Sequence, residues 1–160
     1  MPEEINRLVT DILSDCLFTT CMDANKNLAK EGISKSKIFF VGNVMIDTLL
    51  ANRKKAEKST ILQDLALEPK GYAVLTLHRP SNVDDPKVLS ALLEAFDQIQ
   101  RDMPLIFPIH PRTRKNLSRF GFDARLKEMP NFRLLEPLGY LDFLKLMAES
   151  RLVLTDSGGM

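Results

Sequence analysis

Two histidines occur in the 160 residues, His78 and His110, and each closes a run of apolar residues. "YAVLTLH" and "PLIFPIH" read as buried strands, so both imidazoles stand where a strand ends. Arg79 follows the first histidine directly, and Arg112 and Arg114 come close behind the second. A third apolar run, "FRLLEPL", leads to Glu136 and Tyr140. A fourth, "RLVLTDSGG", passes from apolar residues into Asp156, Ser157, Gly158 and Gly159. Arginine forks and imidazoles neutralise phosphate oxygens. The backbone N–H groups of a Ser-Gly-Gly turn form an anion cradle, and the missing Cβ atoms let a ligand approach closely. Together these parts describe a pocket for the pyrophosphate of a nucleotide. Each also has a plainer reading: a Gly-Gly turn, a structural histidine, a solvated basic helix start at "HPRTRK". Their coincidence at strand ends favours the ligand.

The elements between them must bring those ends to one rim. "PEEINRLVTDILSD" places Ile5, Leu8, Val9, Ile12 and Leu13 on one helical stripe. "CLFTT" reads as a short strand, "DANKNLAKEGI" as a helix stopped by Gly32, and "KIFFVGN" as a strand. "VMIDTLLANRKKAEKS" begins amphipathic and frays into charge, and Ile61, Leu62, Leu65 and Leu67 suggest a short helix in a polar stretch. Beyond it, strands at 72–78, 104–110, 132–138 and 151–157 alternate with helices, among them one over 85–103 with Pro86 in its first turn. Continuous apolar strands alternating with helices predict an α/β fold, a parallel sheet covered on both faces. In such sheets ligands bind beyond the carboxyl ends of the strands.

Composition excludes other classes. With 22 basic against 21 acidic residues the net charge is +1, which gives no electrostatic footprint for nucleic acid. No apolar run reaches the roughly 18–20 residues that span a bilayer, and "MPEEINR" lacks a signal-peptide plan. Cys16 and Cys21 have no second pair to complete a zinc site, so no metal is expected, and both thiols are expected to be reduced and buried. The cytoplasm follows as the expected compartment. Neither G-x-G-x-x-G nor a P-loop occurs, and no cofactor is implied.

Six stretches in order, "PEEINR", "GNVMIDTLL", "LTLHRPSNVDDP", "PIHPRTRKNL", "LLEPLGYLDFLKLMAES" and "LTDSGGM", give the chain a resemblance that none gives alone. It resembles the non-hydrolysing UDP-N-acetylglucosamine 2-epimerases along essentially its whole length. The resemblance implies a glycosyltransferase-B-like architecture, two Rossmann-like domains facing each other across a cleft. It assigns 1–43 to the end of the first domain, 44–70 to the interdomain connection, and 71–160 to the first half of the second, UDP-binding domain. It thus implies an incomplete chain, expected to be inactive alone because two further catalytic acids and a ribose-binding glutamate of the family fall outside it. The implied reaction interconverts UDP-GlcNAc and UDP-ManNAc by elimination and re-addition of UDP with inversion at C2, feeding cell-surface polysaccharide synthesis, in a homodimer.

Carried over by position, the resemblance makes Glu3 a catalytic carboxylate and His78 a diphosphate-contacting catalytic residue. Arg7 is implied in substrate binding one helical turn after Glu3, Phe143 lies near the uracil, and Ser157, Gly158 and Gly159 form the phosphate-binding turn. Arg79 and His110 match effector contacts of regulated bacterial members. Many of those read His-Arg-Arg-Glu where this chain has His78-Arg79-Pro80-Ser81, a departure that bears on regulation and not on the core reaction. Two alternatives stay open: a glycosyltransferase-B-type sugar transferase, which would have no use for "PEEINR", and a non-catalytic UDP-binding module, which would fold as a cooperative monomer.

Overall fold

Proline at the first helical position, with Glu3 and Glu4 against the positive end of the helix dipole, starts α1 (Pro2–Leu13). In the computed structural model, which describes residues 2–158, the chain divides into two compact units, Met1–Asn52 and Arg53–Met160. The division falls within α3 (Val44–Ala56).

In the first unit, β1 (Leu17–Thr19) and β2 (Ile38–Phe40) pair in parallel, Leu17 opposite Ile38, with α2 (Met22–Lys30) between them in sequence. Gly32 ends α2 in the left-handed region, φ +89°, and the Ile33 N–H returns to the Leu28 carbonyl at 3.0 Å. The stripe of α1 is present, but no residue of that helix is buried, and Leu13 is 76% exposed. Phe18, Phe39, Phe40 and Val41 are exposed as well. The expectation of buried thiols is corrected here: Cys16 and Cys21 are both exposed. Cys16 lines an open cavity of about 580 Å³ beside α1, and Cys21 sits at the N-cap of α2, where neither is covered.

The second unit opens with α4 (Ile61–Asp64) and β3 (Ala73–Thr76). Next come α5 (Pro80–Val83), α6 (Pro86–Asp102) and β4 (Leu105–Pro108). After these follow α7 (Pro111–Arg119), α8 (Asp123–Lys127) and β5 (Phe132–Leu135), then α9 (Tyr140–Ala148) and β6 (Leu152–Thr155). The sequence reading did not anticipate α5 or α8. All four strands run parallel in the order β5-β4-β3-β6.

Side chains alternate across this sheet with period two. Ala73, Leu75, Leu105 and Phe107 join Leu89, Leu93 and Phe96 of α6 on one face. Tyr72, Val74 and Ile106 meet Ile61 and Leu62 of α4 and Leu146 of α9 on the other. Both faces are therefore covered at β3 and β4, which is why these strands are apolar and not alternating. At the edge the expected cover is incomplete, and Leu152 and Val153 of β6 are exposed. Buried Tyr72 keeps its hydroxyl satisfied by donating to the Leu146 carbonyl at 2.7 Å. Helix α6 starts cleanly because Asp85 accepts the Lys87 N–H at 2.8 Å and Pro86 takes the first helical position.

Candidate functional site

The strand order carries the argument for where a ligand goes. From β3 the chain steps to β4 and β5 on one side, then returns to place β6 on the other. The crevice beyond the carboxyl ends of β3 and β6 is therefore the topological switch point of the sheet. His78 and Arg79 follow β3, and Asp156, Ser157 and Gly158 follow β6.

Asp156 organises this crevice. Its Oδ2 accepts the backbone N–H groups of His78 at 3.0 Å and Arg79 at 2.7 Å, and the Asn82 side-chain amide from α5 at 3.1 Å. Its side chain is only 7% exposed, while that of His78 is 52% exposed. His78 Nδ1 lies 3.1 Å from Oδ1, close enough for an ion pair but off the line of a good hydrogen bond, so Oδ1 is buried without an aligned donor. Burial pushes the Asp156 carboxyl up. The donors from Arg79, His78 and Asn82, with the imidazole beside it, outweigh that and hold it below the usual carboxylate range.

A carboxyl whose native value lies below its unfolded value near 3.9 contributes stability fully above that value and loses it as pH falls through the native one. Asp156→Asn is therefore expected to cost about 1–3 kcal/mol at neutral pH and to flatten the acid side of the stability curve. Urea unfolding midpoints from pH 3 to 7 measure this, and an unchanged acid slope would contradict it.

The turn after Asp156 is partly committed already. The Ser157 N–H donates to Thr155 Oγ1 at 2.9 Å, so of the expected N–H cradle this donor is spent within the chain. Gly158 follows, and a Cβ placed on it would come no closer than 3.8 Å, to Arg79 Nη2. The Arg79 guanidinium thus stands over the turn. Gly159 lies outside the described residues.

The other candidates are distributed. His110 caps α7: its Nδ1 accepts the Arg112 N–H at 3.2 Å. Arg112 forks onto Asp84, with Nε to Oδ1 at 3.0 Å, and Asn116 joins the same carboxylate. Arg114 pairs with Glu136 at 3.1 Å. Phe143, in the first turn of α9, packs half-buried against the Tyr72–Ile106 cluster.

In the first unit Glu3 is exposed, and Arg7 is engaged with Glu4, Asp11 and Glu31. Nε and Nη2 meet Glu4, Nη1 meets Asp11, and both Nη atoms meet Glu31, at 2.7–3.2 Å. All five N–H donors of this guanidinium point at carboxylates of its own unit. The hydrogen bonds to Glu4 and Glu31 hold the Arg7 pKa high, and the same bonds hold both glutamates low. Glu3, one helical turn before Arg7, is not among the carboxylates that the guanidinium meets. Sequence reasoning placed Asp156 at the strand end without giving it a role, and it left Asn82 out of the site. Asp156 carried one signal, a polar residue directly after an apolar strand.

Set beside known proteins, the chain matches the family model of UDP-N-acetylglucosamine 2-epimerase over residues 1–160. The chain belongs to the UDP-N-acetylglucosamine 2-epimerase family. Within the family it is 43% identical over 165 residues to the UDP-N-acetylglucosamine 2-epimerase of Methanocaldococcus jannaschii, covering 100% of this chain and 45% of that relative. It is 41% identical to the UDP-2,3-diacetamido-2,3-dideoxy-D-glucuronate 2-epimerase of Pseudomonas aeruginosa, covering 100% of this chain and 43% of the relative. Among solved structures, the M. jannaschii UDP-GlcNAc 2-epimerase in complex with UDP-GlcNAc and UDP matches with TM-score 0.88 and 44% identity, over 99% of this chain and 45% of that one. The Neisseria meningitidis enzyme bound to UDP-GlcNAc matches with TM-score 0.80 and 29% identity, over 99% and 44%. The chain thus spans about half the length of these epimerases. The expected α/β fold with glycosyltransferase-B-like relatives stands.

Proposed function

We propose that this chain carries part of a UDP-N-acetylglucosamine 2-epimerase, interconverting UDP-GlcNAc and UDP-ManNAc by elimination and re-addition of UDP at the sugar. The observation that carries the reading is the switch-point crevice, where His78, Arg79 and Gly158 meet beside a buried carboxylate, in a chain of this family. The C2 proton of the sugar is not acidic, so its removal needs a placed base, the role assigned to Glu3. Breaking the C1–O bond puts charge on the departing diphosphate, which His78, Arg79 and the Gly158 turn neutralise and retain. Retention matters because the same UDP must add back. Arg7 takes part in sugar binding once a substrate group displaces one of its carboxylates, and Phe143 flanks the uracil. The nucleotide-sugar chemistry suits a cytoplasmic homodimer that supplies cell-surface polysaccharide synthesis. Domain limits of 1–43, 44–70 and 71–160 belong to the same reading.

A second reading is favoured by one comparison. The P. aeruginosa relative acts, by its name, on a different UDP-sugar, at almost the same identity as the M. jannaschii enzyme. The UDP half of the ligand is shared by both names and the sugar is not.

Gly158 supplies the test. An alanine there meets Arg79 only at ordinary contact distance and the backbone needs no left-handed φ, so Gly158→Ala is expected to leave the unfolding midpoint unchanged. Its methyl group would nonetheless occupy the space a phosphate needs, and UDP affinity by calorimetry is expected to fall at least tenfold. Equal UDP affinity in both proteins, or no UDP binding in either, would remove the basis of this site.

A further inference from the structure

The paired geometry of the two histidines points to an assignment that the family resemblance does not contain. We propose that Asp156 is the positioning residue for His78: it fixes the imidazole with Nδ1–H toward its own Oδ1 and so presents Nε2 at the mouth of the β3–β6 crevice. This rests on reading the crevice as the diphosphate site.

Three observations converge on it. First, Asp156 Oδ2 is saturated, taking two backbone N–H groups and the Asn82 amide, so the carboxylate cannot swing away without losing them. Second, that leaves Oδ1 buried and without an aligned donor, and the atom opposite it is His78 Nδ1 at 3.1 Å. A bare Nδ1 lone pair there would face a carboxylate oxygen at contact, two acceptors against each other. A small rotation of the half-exposed ring with a proton on Nδ1 makes a charge-assisted hydrogen bond instead. Third, the backbone of His78 hangs on the same carboxylate, so one side chain from β6 sets both where the residue sits and which way its ring is protonated.

The consequence is at Nε2. In the neutral ring this nitrogen offers a lone pair to the crevice. In the protonated ring it offers an N–H to a diphosphate oxygen, with the positive charge balanced from behind by Asp156. A neutral ring of the opposite tautomer would offer an N–H there and no lone pair. The same second-partner logic orients histidines in hydrolases and metal sites.

His110 is the built-in control. Its Nδ1 accepts the Arg112 N–H, so its proton must be on Nε2. The chain's only two histidines are therefore assigned opposite tautomers.

The experiment is 15N NMR of the histidine-labelled chain under alkaline conditions, read on the neutral rings, in which one nitrogen carries the proton and the other does not. It applies equally to a dissolved or a sedimented sample. The expected result is one ring protonated on Nδ1, His78, and one on Nε2, His110, assigned with His110→Gln. In Asp156→Asn the amide oxygen keeps the three donors and its NH2 faces Nδ1, so His78 is expected to switch to the Nε2 proton and both rings to read alike. A wild-type His78 protonated on Nε2, or a tautomer indifferent to Asp156→Asn, overturns the proposal. If that variant does not fold, the wild-type spectrum alone still decides. UDP titration of the same sample separates the two claims: the Nδ1 proton without UDP binding supports the pairing and overturns the diphosphate reading. UDP binding with the proton on Nε2 overturns only the pairing. With these 160 residues in place of the matching segment of the M. jannaschii relative, Asp156→Asn is expected to lower kcat about 10²- to 10⁴-fold, with KM changing far less.

Discussion

Replacing His78 by alanine, or Glu3 by glutamine, is expected to lower kcat for epimerisation by about 10²- to 10⁴-fold, the usual loss when a positioned proton-transfer group is removed. The chain spans about 45% of its relatives, so turnover is measured with these residues replacing the matching segment of the M. jannaschii relative. Glu3 is exposed, so Glu3→Gln should not shift stability beyond about 0.5 kcal/mol. His78→Ala, by contrast, leaves the buried Asp156 Oδ1 without its imidazole and should cost about 1–3 kcal/mol. The two losses should differ in kind. Glutamine matches glutamate in size and hydrogen-bonding reach but cannot take a proton, so Glu3→Gln should retain UDP affinity. On the proposed reading alanine at 78 removes a diphosphate contact, so His78→Ala should weaken UDP as well as slow turnover. Normal turnover in Glu3→Gln would sink the assignment of that carboxylate. Full UDP affinity in His78→Ala would place the diphosphate elsewhere than the β3–β6 crevice.

How much of this was legible in the sequence depends on distance along the chain. Strands β3 and β4 were legible because burial on both faces makes "AVLT" and "LIFP" apolar without interruption, and "LVLT" of β6 carries the same pattern although that strand is mostly exposed. The candidate rim was legible for the same reason, since an apolar run that stops at His78 or Asp156 marks the end of a strand. The short helices α5 and α8 were not, because four or five residues give no helical period to read. Exposure of Cys16 and Cys21 was not legible either, since burial depends on what lies over a residue and not on its type.

The site's second layer was hidden by topology. Asp156 and the His78 backbone lie 78 residues apart, and Asn82 and Asp156 lie 74 apart. Only the return of β6 to pair with β3, Thr76 opposite Thr155, puts them within hydrogen-bond reach. Local pattern cannot say on which side of the sheet the fourth strand will insert. Arg7 fails the same way on a smaller scale: its fork onto Glu31 depends on α2 ending beside α1.

The largest stability effect is expected at Phe132, on the far edge of the sheet from the crevice. Its ring, 6% exposed, packs against Phe96 of α6 with centroids 5.9 Å apart and against Phe107 of β4 at 6.0 Å. It is the member of the three that touches both others, so truncation opens a void that no single neighbour fills. Phe132→Ala is expected to cost about 3–5 kcal/mol, read as a lower urea midpoint with unchanged slope. Phe40→Ala, at a side chain 55% exposed, should cost under about 0.5 kcal/mol. The strand order makes the result functionally informative. β5 is separated from β6 by β4 and β3, so below the unfolding transition Phe132→Ala should bind UDP with unchanged affinity. A loss under 1 kcal/mol would mean that β5 and its ring stack are frayed and contribute little to the core. Full stability cost with weakened UDP binding would mean that the crevice depends on the whole sheet and not on its β3–β6 half.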